Sequence, residues 1–577
     1  MEALGGIPVV VLPQHPLVPY RERLWLGLIL VAGAALRFYN LAWGAPYFHF
    51  HIDEHFVFSG ADMLARSVDE AAQSPKFFMY SPLPMYVLIA VRWIYETVAR
   101  HPLLLNVPHD EVVFMVMGRA ISATIGTATI VAVWSVARRI AGGRAGLLAA
   151  ALTGFGVLHL RESHFFTVDI PMTFFSVVTL YALLPVIEHG PSLRRDLAVG
   201  AAFGAALLCK FTAVFLAPVI GVAYLLAGRP YTTHALRACV AGAIGVALFL
   251  LADPLPIFYF EKFRQDIQDW VTAPLTGLWK PIWTAQFADV RWPRLYWFTN
   301  ILWWGLGPAF EIVGLMGAVW LFVRGDRRAA VAGTFVLAYF AVAGRAITPL
   351  ARYGVPFVPA LAIAAGVFLS DLMARKPWRR VAIALAVLTL VTTGAYAAAY
   401  LHVFVARDAR LAASTYMLHR VPPGTSVLVE PSQNMVPFGS YLEQPDFNRD
   451  YLLRGPEATR DDYYHLVSLD TYVYLYDRNR SEDAKRAYIA SRLAKVDYIV
   501  MDDTYLQFYQ HLPQDNHAAV KQYYDDLFAG RLGFELLRTF KTYPSLFGVK
   551  INDDAAELSF RLFDHPRVFI FQRKSPA

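Results

Sequence analysis

Long apolar segments recur along the first 400 or so residues of this chain and constrain its fold more than any other feature. They run from about Leu24 to about His402, and 56% of the 577 residues are hydrophobic while only 17% are charged. A helix of about 20 apolar residues spans the hydrocarbon core of a bilayer. The pattern therefore predicts a polytopic α-helical membrane protein.

About eleven segments are predicted to span the membrane, and the two that flank Lys210 are short, which suggests broken or tilted helices around a cavity. The segments lie near 24–42, 112–137, 145–161, 170–188, 197–209, 212–227, 237–252, 297–323, 329–344, 353–371 and 381–402. Alternate loops carry clusters of arginine, which by the positive-inside rule face the cytoplasm. We expect a cytoplasmic N-terminus without a cleavable signal, in a bacterial or archaeal plasma membrane.

A further apolar segment, Pro82 to Val98, contains Arg92 and Glu96 and is short. If it crossed the membrane, every later loop would invert and the arginine clusters would face outward. It is therefore predicted to be an interfacial or re-entrant helix in the first external loop, residues 43–111.

The net charge of +7 is attributed to these loop arginines, and no nucleic-acid partner is expected. The two cysteines, Cys209 and Cys239, both lie in apolar segments. They are interpreted as core thiols and not as a disulfide or a metal site.

An acidic pair, Asp53-Glu54, follows the first apolar segment in a run that is rich in aromatic residues and histidine. Carboxylates at the edge of a bilayer are costly unless water, a partner charge or a substrate is present. A solvated loop charge is the simpler interpretation. The position among aromatic residues favours a functional site.

Other charged residues reach the same external boundary from distant parts of the chain. They are Asp169, Lys210, Asp253, Arg345 and Arg352. Carboxylates suit base or metal chemistry, and arginine suits a phosphate through its planar fork of donors. Asp169, two residues before a proline, is alternatively a helix N-cap, and Lys210 is alternatively a snorkelling lysine.

A metal is left open as a cofactor. Histidines that could join Asp53, Glu54 and Asp169 as ligands are His49, His51, His55 and His164, of which His55 is preferred. The spacing matches no specific zinc motif. A divalent ion such as magnesium, manganese or zinc therefore stays an expectation for experiment.

Five stretches together resemble a known pattern. They are Asp53-Glu54 after the first span, Tyr80-Ser81-Pro82-Leu83-Pro84, Ser163 to Phe175 with its Asp-x-Pro, Gly204 to Lys210, and Arg352 to Pro359. In order and sidedness they resemble the GT-C glycosyltransferases that use polyprenyl-phosphate-linked sugars. The resemblance is greatest to the protein O-mannosyltransferase and aminoarabinose transferase branch, and it covers about the first 400 residues.

The resemblance implies a role for each matching residue. Asp53 would be the general base for the acceptor hydroxyl, Glu54 would orient or assist it, and Asp169 would position the acceptor or a divalent ion. The residues that would hold the lipid phosphate are Lys210, Arg352 and Tyr353, together with Tyr80. Because Tyr80-Ser81 stands where the aminoarabinose branch has a lysine, Lys76 or Arg92 would add the missing cation.

The implied activity is that of an inverting glycosyltransferase of the cell envelope. It would move a sugar from a polyprenyl phosphate, such as dolichyl or undecaprenyl phosphate, to a hydroxyl or amine of a lipid, glycan or protein on the outer face. The alternatives are a lipid or sugar transporter or flippase, and a non-catalytic scaffold. Transporters tend to contain internal repeats, and none is evident in this sequence.

The composition changes after about His402, so residues 1–402 are predicted to form the catalytic membrane domain and 403–577 an extracytoplasmic α/β domain. Strands are expected at 426–430, 498–501 and 568–572, and helices at 482–494 and 518–527. Asp502-Asp503 is interpreted as a surface pair, with a ligand site at a strand end as the alternative. Acceptor recognition is the expected role of this domain.

The external loop from Asp253 to Arg294 is rich in tryptophan. Its members are Trp270, Trp279, Trp283 and Trp292. They fit either an interfacial aromatic belt or a loop that closes over the substrate.

Overall fold

The computed structural model describes residues 18–45, 50–105, 108–277, 280–431, 436–437, 464–513 and 517–574. Two of the residues discussed above, His49 and Trp279, lie outside these ranges. The described chain is mostly helical up to Arg420 and forms a mixed α/β structure after it.

The first part of the chain consists of helices joined by short turns. They are α1 (Tyr20–Phe38), α2 (Ile52–Arg66), α3 (Val68–Gln73), α4 (Leu83–Ala99), α5 (Pro108–Ala141), α6 (Gly143–Phe155), α7 (Val157–Glu162), α8 (Asp169–His189), α9 (Leu193–Leu207), α10 (Leu216–Leu226), α11 (Tyr231–Ala252), α12 (Leu255–Phe258), α13 (Phe260–Ile267), α14 (Ala273–Thr276), α15 (Pro293–Tyr296), α16 (Trp303–Leu306), α17 (Pro308–Val323), α18 (Arg327–Ala343), α19 (Phe357–Ala374) and α20 (Arg379–Val405). Single 3₁₀ turns lie at Phe77–Met79, Phe211–Phe215, Ile282–Phe287, Ala351–Gly354 and Lys376–Trp378, and π-helical turns at Gln268–Thr272 and Trp297–Leu302.

Five helical stretches in the described residues are long and apolar enough to cross a bilayer. They are His109–Ala141, Asp169–His189, Tyr231–Ala252, Ala351–Ala374 and Lys376–Arg420, and two shorter apolar stretches are Phe211–Leu226 and Pro308–Val323. Each of the eleven segments predicted from the sequence overlaps one or more of the helices given above. The chain is therefore an integral membrane protein with several apolar helices.

The helices are interrupted at Lys210, where the sequence has two short apolar segments. Helix α9 ends at Leu207, Lys210 adopts an extended conformation, and a 3₁₀ turn precedes α10. Close helix packing elsewhere depends on small residues: a Cβ atom at Gly317 of α17 would collide with the backbone of Ala364 in α19.

The two cysteines lie in different environments. Cys209 is buried, as predicted, whereas Cys239 is exposed on the surface of α11, and both are free thiols. The interpretation of Cys239 as a core thiol is therefore wrong. Its helix presents apolar side chains on several faces, so its sequence does not show which face packs inward.

Among the residues that the structure describes, the C-terminal part contains five helices and seven strands. The helices are α21 (Ala409–Arg420), α22 (Glu482–Leu493), α23 (Thr504–Gln510), α24 (Ala518–Phe528) and α25 (Leu558–Leu562), and the strands are β1 (Thr425–Val429), β2 (Tyr464–Ser468), β3 (Tyr498–Asp502), β4 (Phe534–Phe540), β5 (Ser545–Leu546), β6 (Val549–Lys550) and β7 (Val568–Arg573). Five strands form a sheet in the order β2-β1-β3-β7-β4. Strands β2, β1 and β3 are parallel, β7 and β4 are antiparallel to their neighbours, and β5 and β6 form a separate hairpin.

The acidic pair Asp502-Asp503 is buried, so its interpretation as a surface pair is wrong. Asp503 accepts hydrogen bonds from the guanidinium groups of Arg561 and Arg567. Burial alone would raise the pKa of Asp503, but these two arginines outweigh it and lower the pKa below its usual value. The pair is part of the domain core.

Candidate functional site

A cavity of about 330 Å³ lies between the membrane helices and the C-terminal sheet domain. Its membrane-side wall comes from the start of α2, the 3₁₀ turn at Phe77–Met79 and the turn at Ala351–Gly354. Its opposite wall comes from the C-terminal part, with Pro431, Tyr472, Thr504, Tyr505, Phe508, Ser559, Leu562 and Phe563. The sequence did not predict this second wall.

Asp53 lines the cavity and is nevertheless 5% exposed. Its carboxylate accepts a hydrogen bond from the Tyr80 hydroxyl and forms an ion pair with Arg352. Burial raises the pKa of Tyr80 well above its usual value, so the phenol keeps its proton and acts as a donor. The Asp53 backbone N–H donates to His51 Nδ1, which caps the first turn of α2. Asp53 is thus fixed in one orientation.

Arg352 approaches Asp53 from the 3₁₀ turn that precedes α19. The C-terminal part holds this turn in place: the N–H of Ala351 donates to Glu557 Oε2 at 3.0 Å and to Ser559 Oγ at 3.1 Å. The next residue, Tyr353, also lines the cavity, and its carbonyl accepts from the Tyr339 hydroxyl at 2.5 Å. Both domains therefore position Arg352.

Asp169 and Lys210 come together behind Tyr353. Lys210 Nζ lies 2.6 Å from Asp169 Oδ1 and 5.1 Å from the centre of the Tyr353 ring. Asp169 is the first residue of α8, and the N-cap position before it is occupied by Val168. Asp169 and Lys210 therefore form a partly buried ion pair at the edge of the site. This pair, and not a helix N-cap or a snorkelling lysine, describes how the two side chains are placed.

Lys76 lines the cavity with its ammonium between two aromatic rings. Its Nζ lies 4.0 Å from the ring centre of Trp270 and 4.4 Å from that of Phe56. Within the described residues no carboxylate forms an ion pair with it. Burial lowers the pKa of Lys76 to about 8. An amine held between aromatic faces adds a positive charge to the cavity wall.

The tryptophan-rich loop contributes two of its members to the cavity wall. Trp270 and Trp283 stack with ring centres 6.3 Å apart and planes 15° apart, and Gln286 lies beside them. Trp292 is 65% exposed and lies outside the cavity. One part of the loop therefore lines the cavity and another part is exposed.

Glu54 does not line the cavity. Its two carboxylate oxygens accept from Arg119 Nε and Nη2 at 2.8 and 2.9 Å, and Oε1 also accepts the Phe166 N–H. Glu54 and Arg119 are fully buried. The sequence did not reveal Arg119 as the partner, because the arginine lies inside a long apolar helix. The geometry fits an anchor between α2 and α5.

Three other charged residues that were predicted from the sequence to lie at the site do not line the cavity. Arg92 pairs with Glu96 and Asp62 and donates to the Leu103 carbonyl, so its placement does not support the predicted contact with a phosphate there. Asp253 is buried at the end of α11. Arg345 lines a separate surface groove beside Trp292.

The predicted metal ligands are already engaged with cations or with the protein backbone. Asp53, Glu54 and Asp169 pair with Arg352, Arg119 and Lys210, respectively. His164 contacts two carbonyl oxygens, and burial together with the charge of Lys76 lowers the pKa of His55 to about 4. In the part of the chain that the structure describes, no three His, Cys, Asp or Glu side chains converge. These residues do not fit a resident metal ion.

A buried polar network joins the cavity to the C-terminal part. Arg161 of α7 donates to Asp564 at 2.9 Å and to the Ser559 carbonyl at 2.9 Å. His565 bridges Asp564 and Asp553 at 2.6 and 2.9 Å. Burial alone would lower the pKa of His565, but the two carboxylates outweigh it and raise the pKa to about 9. The imidazole is therefore a cation that bonds both acids.

The cavity contains the chemical groups that are needed to transfer a substituent from a leaving anion to a nucleophile. It combines a carboxylate with fixed orientation, a guanidinium and an ammonium in the lining of one cavity, together with aromatic side chains. A carboxylate can take a proton from an acceptor hydroxyl or amine, and fixed cations stabilise the charge on a leaving anion.

Comparison with known proteins agrees with this chemistry. Residues 113–256 match the family model described as dolichyl-phosphate-mannose-protein mannosyltransferase. The matched segment includes Asp169 and Lys210 and excludes Asp53 and Arg352. No curated protein sequence matches the chain significantly.

Several solved structures are distantly similar. The oligosaccharyltransferase AglB of Archaeoglobus fulgidus in the apo form has a TM-score of 0.49 and 12% identity, over 92% of this chain and 75% of that chain. ArnT of Cupriavidus metallidurans bound to undecaprenyl phosphate has a TM-score of 0.44 and 18% identity, over 85% and 95%. The Pmt1-Pmt2 protein O-mannosyltransferase of S. cerevisiae has a TM-score of 0.33 and 19% identity, over 43% and 34%. The family match to residues 113–256 agrees with the predicted resemblance to the protein O-mannosyltransferases.

Proposed function

We propose that this chain is an inverting glycosyltransferase. It transfers a sugar from a polyprenyl phosphate to a hydroxyl or amine of an acceptor lipid, glycan or protein. The observation that carries the proposal is the placement of Asp53, oriented by Tyr80 and paired with Arg352, in a cavity that Lys76 also lines. The match of residues 113–256 to the mannosyltransferase family supports the same reaction class.

In the proposed reaction the acceptor oxygen or nitrogen attacks the anomeric carbon of the donor sugar. Asp53 takes the proton of that nucleophile, a new glycosidic bond forms, and the bond between the anomeric carbon and the phosphate oxygen breaks. The polyprenyl phosphate leaves with the electron pair of that bond. One displacement of this kind inverts the anomeric configuration.

Arg352 has a double role in the proposal. Without donor it neutralises Asp53, and both groups avoid the cost of an unpaired buried charge. When the donor phosphate occupies the cavity, the guanidinium is shared with it, and Asp53 becomes a better proton acceptor. Lys76 adds a second cation to the leaving phosphate. Lys210, which is paired with Asp169, lies over the Tyr353 ring and places a charge at this edge of the site.

The C-terminal wall is the proposed acceptor side. Tyr472, Tyr505 and Phe508 present aromatic surface to the cavity that Asp53 also lines. Tyr505 and Thr504 follow β3 and Pro431 follows β1, so this wall is built at the carboxyl ends of two parallel strands. Such an edge is a frequent ligand site in α/β folds.

The proposed organisation keeps the predicted boundaries. Residues 1–402 form the catalytic membrane domain with about eleven spans and a cytoplasmic N-terminus, and 403–577 lie outside the cytoplasm. The arginine-rich loops support this orientation. The membrane would be a bacterial or archaeal plasma membrane. A transporter is less well supported, because the cavity lies at one end of the helices beside the C-terminal sheet.

Radiolabelled sugar transfer tests the proposal. Purified protein in nanodiscs is given a labelled sugar on undecaprenyl or dolichyl phosphate, together with a membrane extract as the acceptor source. Release of unlabelled polyprenyl phosphate with label in a new product is expected. Movement of intact donor between leaflets without bond cleavage would instead support the transporter. Repeating the assay with EDTA tests the requirement for a divalent ion.

A further inference from the structure

The hairpin β5–β6 of the C-terminal part exposes large apolar side chains at its turn. Phe547 is 98% exposed and Val549 is 71% exposed, so the turn presents two neighbouring apolar side chains as one exposed patch. The proposed reaction uses neither residue. The surroundings of the hairpin indicate what covers them.

The hairpin packs against a membrane span. Strand β5 contacts α20, and Ile551, directly after β6, lines a groove with Thr392 and Tyr396 of that helix. Tyr396 is 17 residues beyond Arg379, where α20 begins. At 1.5 Å per residue it lies about 26 Å along the helix, inside a hydrocarbon layer about 30 Å thick. The base of the hairpin is therefore at bilayer level.

Neighbouring elements hold the hairpin at this level. Asn300 donates to the Ala555 carbonyl at 2.9 Å and accepts the Glu557 N–H at 2.7 Å, which ties the segment after the hairpin to the π-helical turn at Trp297–Leu302. Trp303, which follows that turn, is 42% exposed. An exposed tryptophan at the end of a span is typical of the membrane interface.

The backbone conformation of the turn is unfavourable for the phenylalanine at its tip. Its two central residues, Phe547 and Gly548, have φ of 51° and 84°. Asparagine or aspartate is preferred at the first position of such a turn, whereas phenylalanine is strained there. A strained aromatic side chain at an exposed tip indicates a binding role.

We propose that this hairpin inserts its tip into the lipid leaflet on the side of the C-terminal domain, with Phe547 and Val549 in the acyl region. The helix that the hairpin contacts, α20, also has exposed apolar side chains, since Val387, Leu388 and Val391 are all more than half exposed. The exposed Lys550 next to Val549 suits a lipid phosphate. The hairpin thus anchors the outer wall of the cavity to the membrane.

Site-directed fluorescence tests this proposal in the full-length protein, in phosphatidylcholine nanodiscs with or without nitroxide-labelled lipid. In a Cys239→Ser background, Phe547→Cys and, independently, Val549→Cys carry an environment-sensitive dye, while Cys209 stays buried. Wild-type Cys239, exposed on the span α11, is the lipid reference. Asp483→Cys on α22, whose side chain is 94% exposed, is the water reference.

Labels at 547 and 549 are expected to show blue-shifted emission and quenching by the nitroxide lipid, as at Cys239. Emission and quenching equal to those at position 483, for both hairpin positions, would overturn the proposal. A partner protein as the true occupant would give the same aqueous result. Because Val549 lies outside the strained turn, its label still decides the outcome if a substitution at 547 perturbs the hairpin.

Discussion

The carboxylate of Asp53 and the guanidinium of Arg352 form an ion pair inside a cavity that two distant parts of the chain enclose. Asp53 stands at the start of α2, and Arg352 precedes α19. A pair of this kind keeps both charges in place while the site is empty and provides an anion site once a substrate competes for the arginine.

Arg352→Ala is expected to lower kcat by roughly 10²- to 10³-fold, because one fixed donor to the leaving phosphate is lost. Arg352→Lys should recover only part of the activity, since the ammonium lacks the planar fork. The matched control is Arg345→Ala, whose arginine lies outside the cavity. Equal rates for the two alanine variants in the transfer assay would contradict the assignment of Arg352.

The pH profile of kcat/KM is expected to fall as pH rises through about 8. The pKa of Lys76 is lowered to about 8 by burial, so its positive charge is present below that pH and lost above it. Because kcat/KM reports the ionisation of free enzyme, this profile is the one to measure. Lys76→Arg should move the alkaline limb to higher pH, since arginine stays charged. An unchanged limb in that variant would rule out Lys76 as its source.

Glu54→Ala is expected to destabilise the protein by about 3–5 kcal/mol, because it leaves the fully buried Arg119 without its carboxylate. The change should appear as a lower thermal unfolding midpoint. An unaltered midpoint with a large loss of kcat would instead assign Glu54 to catalysis, as the family resemblance implies.

His565 should make the stability of the C-terminal part depend on pH. Its folded pKa is raised to about 9 from an ordinary value near 6.5, so its stabilising contribution is complete below pH 6.5 and is lost as pH rises through 9. The shift corresponds to about 3 kcal/mol. His565→Gln should unfold more easily than wild type at pH 6, and the difference should become smaller as pH rises through 9. A constant difference across this range would contradict the charged bridge.

The sequence predicted the helical, apolar character of the membrane part because apolar length is a local signal. Apolar length and arginine position placed Asp53, Asp169, Lys210 and Arg352 on one face, and the structure brings them together as two ion pairs. The partner of Glu54 was not predictable, since Arg119 contacts it across a helix packing that no sequence spacing reports.

The C-terminal part was predicted less completely. Strands β1, β3 and β7 are largely buried and stand out as apolar runs, whereas β4 exposes most of its residues and has no such pattern. The C-terminal wall was missed for a different reason. Ser559 and Phe563 reach the cavity through tertiary packing, and neither residue type signals a site by itself.

The most direct test of the central claim is sugar transfer by Asp53→Asn, measured with a labelled polyprenyl-phosphate sugar in nanodiscs. Asp62→Asn is the matched control, since Asp62 lies on the same helix but pairs with Arg66 and Arg92 outside the cavity. We predict that Asp53→Asn folds, binds donor and loses transfer, while Asp62→Asn keeps it. Full transfer activity in a correctly folded Asp53→Asn protein would contradict the role of Asp53 as the base.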